Sequence, residues 1–390
     1  VIQMQGRPAQ PNRLLGVTLI TALLTAACST GLGGERAGTP VSPSPSQADP
    51  SPWEKAAPSA LGMDATKLAG IAAQADTGKS DCLAVARHGE LAGEWYFGNA
   101  SQNTAQPIWS ATKSFTSVLV GIAQDDGVLS VDDPAAKWID EWKGTPSDAV
   151  TIRDLLSNDS GREWSFQTDY RRLNRAQDRT EFAVGLKQQH KPGTVWAYNN
   201  AAVQTLQRVL REATGKDVAR FAEERLFRPL GMTRTAMTAD RAGNAQMFMG
   251  IRSTCRDMAR LGQMMLDNGK WRGRQIVSAA YVKAATGQPS TSLNAAYGYL
   301  WWLNRPGVVR GPIAATDLGG AEEPATSRGR MVPGAPPQLY WALGLGNQLI
   351  QIDPASKTVV VRLGKTEPRP KPPTFGAAEA AKVVTEAVVQ

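Results

Sequence analysis

Ser110 and Lys113 sit three residues apart in the stretch Trp109–Phe115, WSATKSF, and pair a hydroxyl with an amine. On a helix, residues i and i+3 share a face, so the amine can reach the hydroxyl oxygen. A helix beginning at Ser110 places that hydroxyl among free backbone N–H groups, at the positive end of the helix dipole. Burial beside a cleft would lower the pKa of the amine and let it accept a proton near neutral pH. A Ser-x-x-Lys pattern alone is cheap. Chance supplies on the order of one in a chain of this size, and this is its one occurrence. A second group strengthens it. KPGTVWAYNNAAVQTL carries Tyr198, Asn199 and Asn200 on a turn directly before an apolar helix. A tyrosine oxygen can relay a proton between lysine, serine and a leaving group, and an amide side chain can orient the groups around it. Asn199 also suits a helix N-cap.

What is missing narrows the chemistry. The chain has two histidines, His88 and His190, each beside turn residues. With no HExxH and no histidine–cysteine cluster, no metal or other cofactor is expected. No G-x-S-x-G elbow occurs, so a hydrolase here needs a base other than histidine.

These residues must be held by elements that the pattern outlines. Phe115, Val118, Leu119 and Ile122 recur at helical spacing after Ser110, and Gly127 ends the run. A helix over 64–75 precedes two strand-like runs around His88-Gly89, which predicts a hairpin. From about Val131 to Val282 the pattern is mainly helical, as in AAVQTLQRVLREATG and CRDMARLGQMMLDNG. Strands return in YGYLWWL, LYWALGLG, QLIQID and TVVVRLG, and an apolar helix closes the chain from Phe375 to Val389. The economical fold is α+β. One sheet is built from both ends of the domain and flanked by helices, with an all-helical region (131–282) inserted and a cleft between the two parts. Residues 305–337 are Gly/Pro-rich and patternless, a lid or a surface loop.

The chain is 390 residues long, 42% hydrophobic and 20% charged, enough to bury a sizeable core. Its formal charge of +8 is spread along the length, and the densest basic cluster, 171–175, has acidic neighbours and no interleaved aromatics. That describes a solvated helix face rather than a nucleic-acid groove. Residues 1–28 are expected to be an export signal: Arg7 and Arg13 precede an apolar run too short to span a membrane, ending in TAAC. The small residues before Cys28 match a bacterial lipoprotein signal, with Cys28 acylated and the protein anchored outside the cytoplasmic membrane or in the periplasm. A plain cleaved signal is the alternative. Residues 29–60, rich in Gly, Pro and Ser, are expected to form a flexible tether, and 61–390 the folded domain. Cys82 and Cys255 could pair in an oxidising compartment. Sequence does not bring their backbones within bridging distance, so two separate buried thiols are the preferred expectation.

In this order, Ser110-x-x-Lys113 followed by Tyr198-x-Asn200, the chain resembles the serine hydrolases related to class C β-lactamases and D-alanyl-D-alanine peptidases. TIRDLLSNDSG, ERLFRPLGMTRTAM, STCRDMARLGQMMLDNGKWRGRQIVS and YGYLWW extend the likeness over about 61–387. SNDSGREWSFQTDY and GLGNQLIQIDP look most similar to nylon-oligomer (aminohexanoate-dimer) hydrolases and to esterases of that fold. The resemblance implies a Ser110 acyl-enzyme, with Lys113 and Tyr198 sharing acid–base work and Asn200 orienting the groups. It implies an oxyanion site at the Ser110 and Leu345 N–H groups, beside Gly344 of the third motif, Ala342-Leu343-Gly344. Tyr170 becomes a candidate substrate contact. The third motif departs from the β-lactamase pattern, which carries a cation there to hold the substrate carboxylate. Neither Ala342-Leu343-Gly344 nor Gly344-Leu345-Gly346 contains one, although Arg328 or Arg330 could substitute. A small neutral ester or amide is therefore the expected substrate. The alternatives are a cell-wall D-alanyl-D-alanine carboxypeptidase, a β-lactamase-like enzyme, or a non-catalytic protein that kept the fold.

Overall fold

A computed structural model of the chain describes residues 53–312, 326–366 and 374–389. β1 (Ser80–Arg87) and β2 (Glu90–Tyr96) form the hairpin expected around His88-Gly89. Both turn residues have positive φ, 53° and 87°, as the tight connection of two right-twisted strands requires. Far along the chain follow β3 (Trp302–Leu303), β4 (Gly307–Arg310), β5 (Thr326–Gly329), β6 (Tyr340–Gly344), β7 (Gln348–Asp353) and β8 (Thr358–Gly364). Six of these make one antiparallel sheet in the order β2-β1-β8-β7-β6-β3. β1 pairs with β8 through Ala84↔Val361, so the two ends of the domain do share one sheet.

Period-two alternation gives this sheet two apolar faces. Leu83, Val85, Leu349 and Val360 meet Leu68 and Ile71 of α1 (Ala65–Thr77) and the closing helix on one side. Asp64 caps α1 by accepting from the N–H groups of Thr66 and Lys67. On the other side, Ala84, Ala86, Ile350 and Val361 belong to the large core that also holds α2 (Thr112–Asp125), α3 (Asn200–Thr214) and α4 (Cys255–Leu266). The closing helix is α5 (Ala377–Lys382), which runs on as a π-helical turn, Val383–Ala387.

Four expectations need correction. The block 131–282 is not one all-helical insertion, because α4 lies flat on the sheet. A side chain at Gly262 would collide with Val359 and Ile350, so the glycine is what lets helix and strands approach. Short strands also interrupt the block, among them Ile251–Ser253, which pairs with Gln106–Pro107. Cys82 and Cys255 are not separate thiols; they form a disulfide with Cα atoms 6.4 Å apart. The packing of α4 against β1, invisible in the sequence, brings them together. The segment 305–337 is not patternless throughout, since β4 and β5 pair as a hairpin; residues 313–325 lie outside the described residues.

The packed region also begins earlier than residue 61. Trp53 is buried against Trp271, its indole N–H bonded to the Gly89 carbonyl at 2.6 Å, and the Ala56 N–H bonds the Leu91 carbonyl. The expected signal, Cys28 and most of the tether lie outside the described residues. Among the described residues no helix is long and apolar enough to cross a membrane.

Candidate active site

α2 is buried on all sides from Thr112 to Ala123, although four of its residues carry hydroxyls. Three of them are held by backbone partners. Thr112 Oγ1 accepts from Ile251 N–H, Ser114 Oγ donates to Leu300 O, and Thr116 Oγ1 donates to Met247 O. Buried polar groups kept in this way fix the helix rather than destabilise it. Ser110 stands just ahead of the helix, in the 3-10 turn Trp109–Ala111. Trp109 there has φ of 50°, a left-handed conformation costing a bulky residue roughly 1–3 kcal/mol and common at functional sites.

Lys113 and Ser110 meet as the i,i+3 spacing requires. Lys113 Nζ lies 3.0 Å from Ser110 Oγ and donates to the Phe248 carbonyl at 3.1 Å. The amine also sits 4.6 Å from the centre of the Tyr198 ring, and the Tyr198 phenol is hydrogen-bonded to the Ser110 side chain. Lys113 is 1% exposed. Burial drives its pKa far below the usual lysine range, and the charge of Asp169 opposes that shift. Burial holds the Tyr198 phenol well above its ordinary value, against the opposing bond to Ser110, so it stays protonated at neutral pH. The cluster therefore presents a hydroxyl, an amine that can be a free base near neutrality, and a proton-bearing phenol. A proton can pass from Oγ to Nζ without an intervening water.

Asn200 is placed differently. Asn199 caps α3 by accepting from Ala202 N–H at 2.8 Å, and Asn200 is the first helical residue. Asn200 Nδ2 donates to Asp169 at 2.7 Å, while its buried Oδ1 has no partner. Asp169 is the site residue that sequence reasoning missed. It accepts from Asn200 N and Ala201 N at 3.1 and 2.8 Å and interacts electrostatically with Lys113. Its one sequence signal was adjacency to Tyr170, already singled out. Tyr170, half-buried, stacks on Phe166 with ring centres 5.3 Å apart. Behind Tyr198 stand Trp196, Tyr297 and Trp302, an aromatic wall that packs the phenol in place.

The third motif, Ala342-Leu343-Gly344, falls on β6. Gly344 ends β6 against the Ser110 turn, and a Cβ there would strike Ile108 O and crowd Ala111 N. Only glycine admits this approach. Leu345, the next residue, is 54% exposed. Arg328 is exposed on β5, and Arg330 donates to Ala335 O. A cavity of about 470 Å³ lies behind the Tyr198 segment, walled by Trp164, Trp196, Asn199 and Arg310. His88 and His190 are exposed, outside the cluster. Among the described residues no group of His, Cys, Asp and Glu could hold a metal ion.

The family model described as "Beta-lactamase" matches residues 62–385. A curated relative, the 6-aminohexanoate-dimer hydrolase of Paenarthrobacter ureafaciens, is 24% identical over 66% of this chain and 72% of its own. A class C β-lactamase solved with cefoxitin superposes with a TM-score of 0.57 at 18% identity, covering 81% of this chain and 99% of its own. The octameric penicillin-binding protein homologue from Pyrococcus abyssi gives 0.58 at 18% identity, over 82% and 77%. At such identities the solved structures speak for the fold alone.

Proposed function

The chain belongs to the β-lactamase family of serine hydrolases, and from that premise we propose that it cleaves a small, neutral carboxylic ester or amide through an acyl-enzyme on Ser110. One observation carries the reading: a buried lysine amine 3.0 Å from the serine oxygen, with a protonated tyrosine bonded to the same serine. Ser110 Oγ attacks the carbonyl carbon, and its proton passes to Lys113 Nζ. The oxyanion that forms sits between the N–H groups of Ser110 and Leu345. Donors aimed at developing charge are usually the largest single catalytic contribution. As the tetrahedral species collapses, the leaving oxygen or nitrogen takes a proton through Tyr198, leaving an ester on Ser110. Water then attacks the ester with the same groups in reverse and releases the acid. Asn200 orients the groups, and Tyr170 contacts the substrate.

The preference for a neutral substrate rests on the third motif. Ala342, Leu343 and Gly344 offer no cation, and an unpaired carboxylate buried there would cost several kcal/mol. The tests are direct. An alkyl-fluorophosphonate should add one adduct to the wild type by intact mass and none to Ser110→Ala; an equal adduct on both overturns the assignment. A chromogenic cephalosporin cleaved as fast as a short-chain nitrophenyl ester would favour the β-lactamase-like alternative.

We place the protein outside the cytoplasm, anchored through lipid on Cys28. The Cys82–Cys255 disulfide supports an oxidising compartment. Cys28→Ser should leave the membrane fraction, and unchanged partitioning would refute the anchor.

A further inference from the structure

We propose that Asp169 is a positioning residue of this same site: it is the counter-charge of Lys113 and the anchor that fixes the Asn200 amide. The inference rests on reading Lys113 as the base. Asp169 lies in the π-helical turn Gln167–Arg172, a rare conformation often found at functional sites. Its carboxylate is 1% exposed and takes three donors, all from the start of α3: Asn200 N, Asn200 Nδ2 and Ala201 N.

Starting α3 does not require it. Asn199 already caps the helix, and a neutral amide or hydroxyl could accept the same bonds without burying a charge. An ionised carboxylate so deep is costly unless a charge nearby answers it. Among the described residues Lys113 is the one cation that acts on it. The two make no contact ion pair, because the Lys113 bonds go to Ser110 and Phe248. Asp169 thus raises the proton affinity of the amine without occupying it. The remaining titratable groups around the pair are phenols: Tyr198, which feels Asp169, and Tyr297 behind it, which feels Tyr198 and Tyr170. Among the described residues no second carboxylate or cation acts on either member.

The carboxylate also settles the amide. Only Nδ2 of Asn200 can face an acceptor, so Oδ1 must face away, and it does so buried and unpartnered. A buried acceptor left open is unfavourable. That cost is recovered when a donor arrives, either the substrate N–H or the newly protonated Lys113 amine. Asp169 therefore links the Tyr170 turn and the open Asn200 oxygen by direct bonds, and the Lys113 proton through charge.

The test compares the pH dependence of kcat/KM for wild type, Asp169→Asn and Asp169→Glu on a short-chain nitrophenyl ester. The acid limb reports loss of the free Lys113 amine. Removing the negative charge should move that limb down by about one pH unit, while Asp169→Glu keeps it in place. An unmoved limb in Asp169→Asn, with activity merely lowered, would reduce Asp169 to a structural cap and overturn the proposal. If Asp169→Asn does not fold, a carbon NMR titration of Lys113 Cε in the wild type decides. Two steps, one from its own proton and one from Asp169, are expected; a single step overturns it. The titration needs no turnover. A wild type that the fluorophosphonate leaves unlabelled refutes the hydrolase reading, whereas a labelled wild type with an unmoved limb refutes only the role of Asp169.

Discussion

Two buried charged pairs in this molecule are built on opposite plans. In α4, Asp257 and Arg260 touch at 2.9 Å, and Asp257 also accepts from Arg234 N–H and Thr235 Oγ1. Burial still raises the Asp257 pKa, but every strong interaction that a carboxylate seeks is supplied locally. At the start of α2, Lys113 and Asp169 feel each other across a gap, and the amine is bonded instead to a serine hydroxyl and one carbonyl. The first pair is closed and fixes structure. The second is kept open, so its proton affinity sits near working pH at a cost in stability. Charges that neutralise each other hold a fold; a charge held off its partner is available for chemistry.

Lys113→Met tests the open pair most strongly. General-base work is worth roughly 10²–10⁴-fold, so kcat on a nitrophenyl ester should fall by about that much. Combined with Asp169→Asn, so that neither buried charge is left without its partner, the substitution should nonetheless melt at or above the wild type, because neutral groups replace a buried pair. A lower melting temperature would mean that Lys113 is structural after all. Asp257→Asn should do the reverse. Breaking a buried, directly bonded pair costs about 3–5 kcal/mol, so stability falls while kcat per folded molecule stays within roughly twofold. A large loss of kcat in that variant would erase the contrast.

The contrast also explains what could be read in advance. Ser110, Lys113 and Tyr198 were legible because two short motifs carry them, and helix spacing brings an i,i+3 pair together whatever the fold. The strands were legible from alternation, and the hairpin from His88-Gly89. Asp169 was not, because it reaches α3 across 31 residues and its function depends on a neighbour that only tertiary packing supplies. The disulfide failed for the same reason: 173 residues separate its cysteines, and α4 had to be seen on the sheet rather than in a separate helical region. Trp53 was lost to the Pro/Ser-rich composition around it, although a tryptophan in such a stretch was itself a sign of packing.

The smallest expected effect is a slope. A lysine whose folded pKa is depressed binds fewer protons folded than unfolded, so stability rises with pH between the two pKa values. For Lys113 that window opens near neutrality, given the direction of its shift, and closes near the unperturbed value of about 10.4. Below the window the amine is charged in both states and the full burial penalty is felt. Within it the penalty shrinks by about 1.4 kcal/mol per pH unit. The Lys113→Met variant carries no such group. Its stability measured against the wild type should therefore be most favourable below neutrality and should decline steadily between about pH 8 and 10. Asp169 is ionised in both proteins over that range and drops out of the difference. Urea denaturation of the two proteins at several pH values measures the gap directly. A gap that stays constant over the window would mean that Lys113 is protonated in the folded protein throughout. The amine could not then be the base, and the open pair would be as closed as the one in α4.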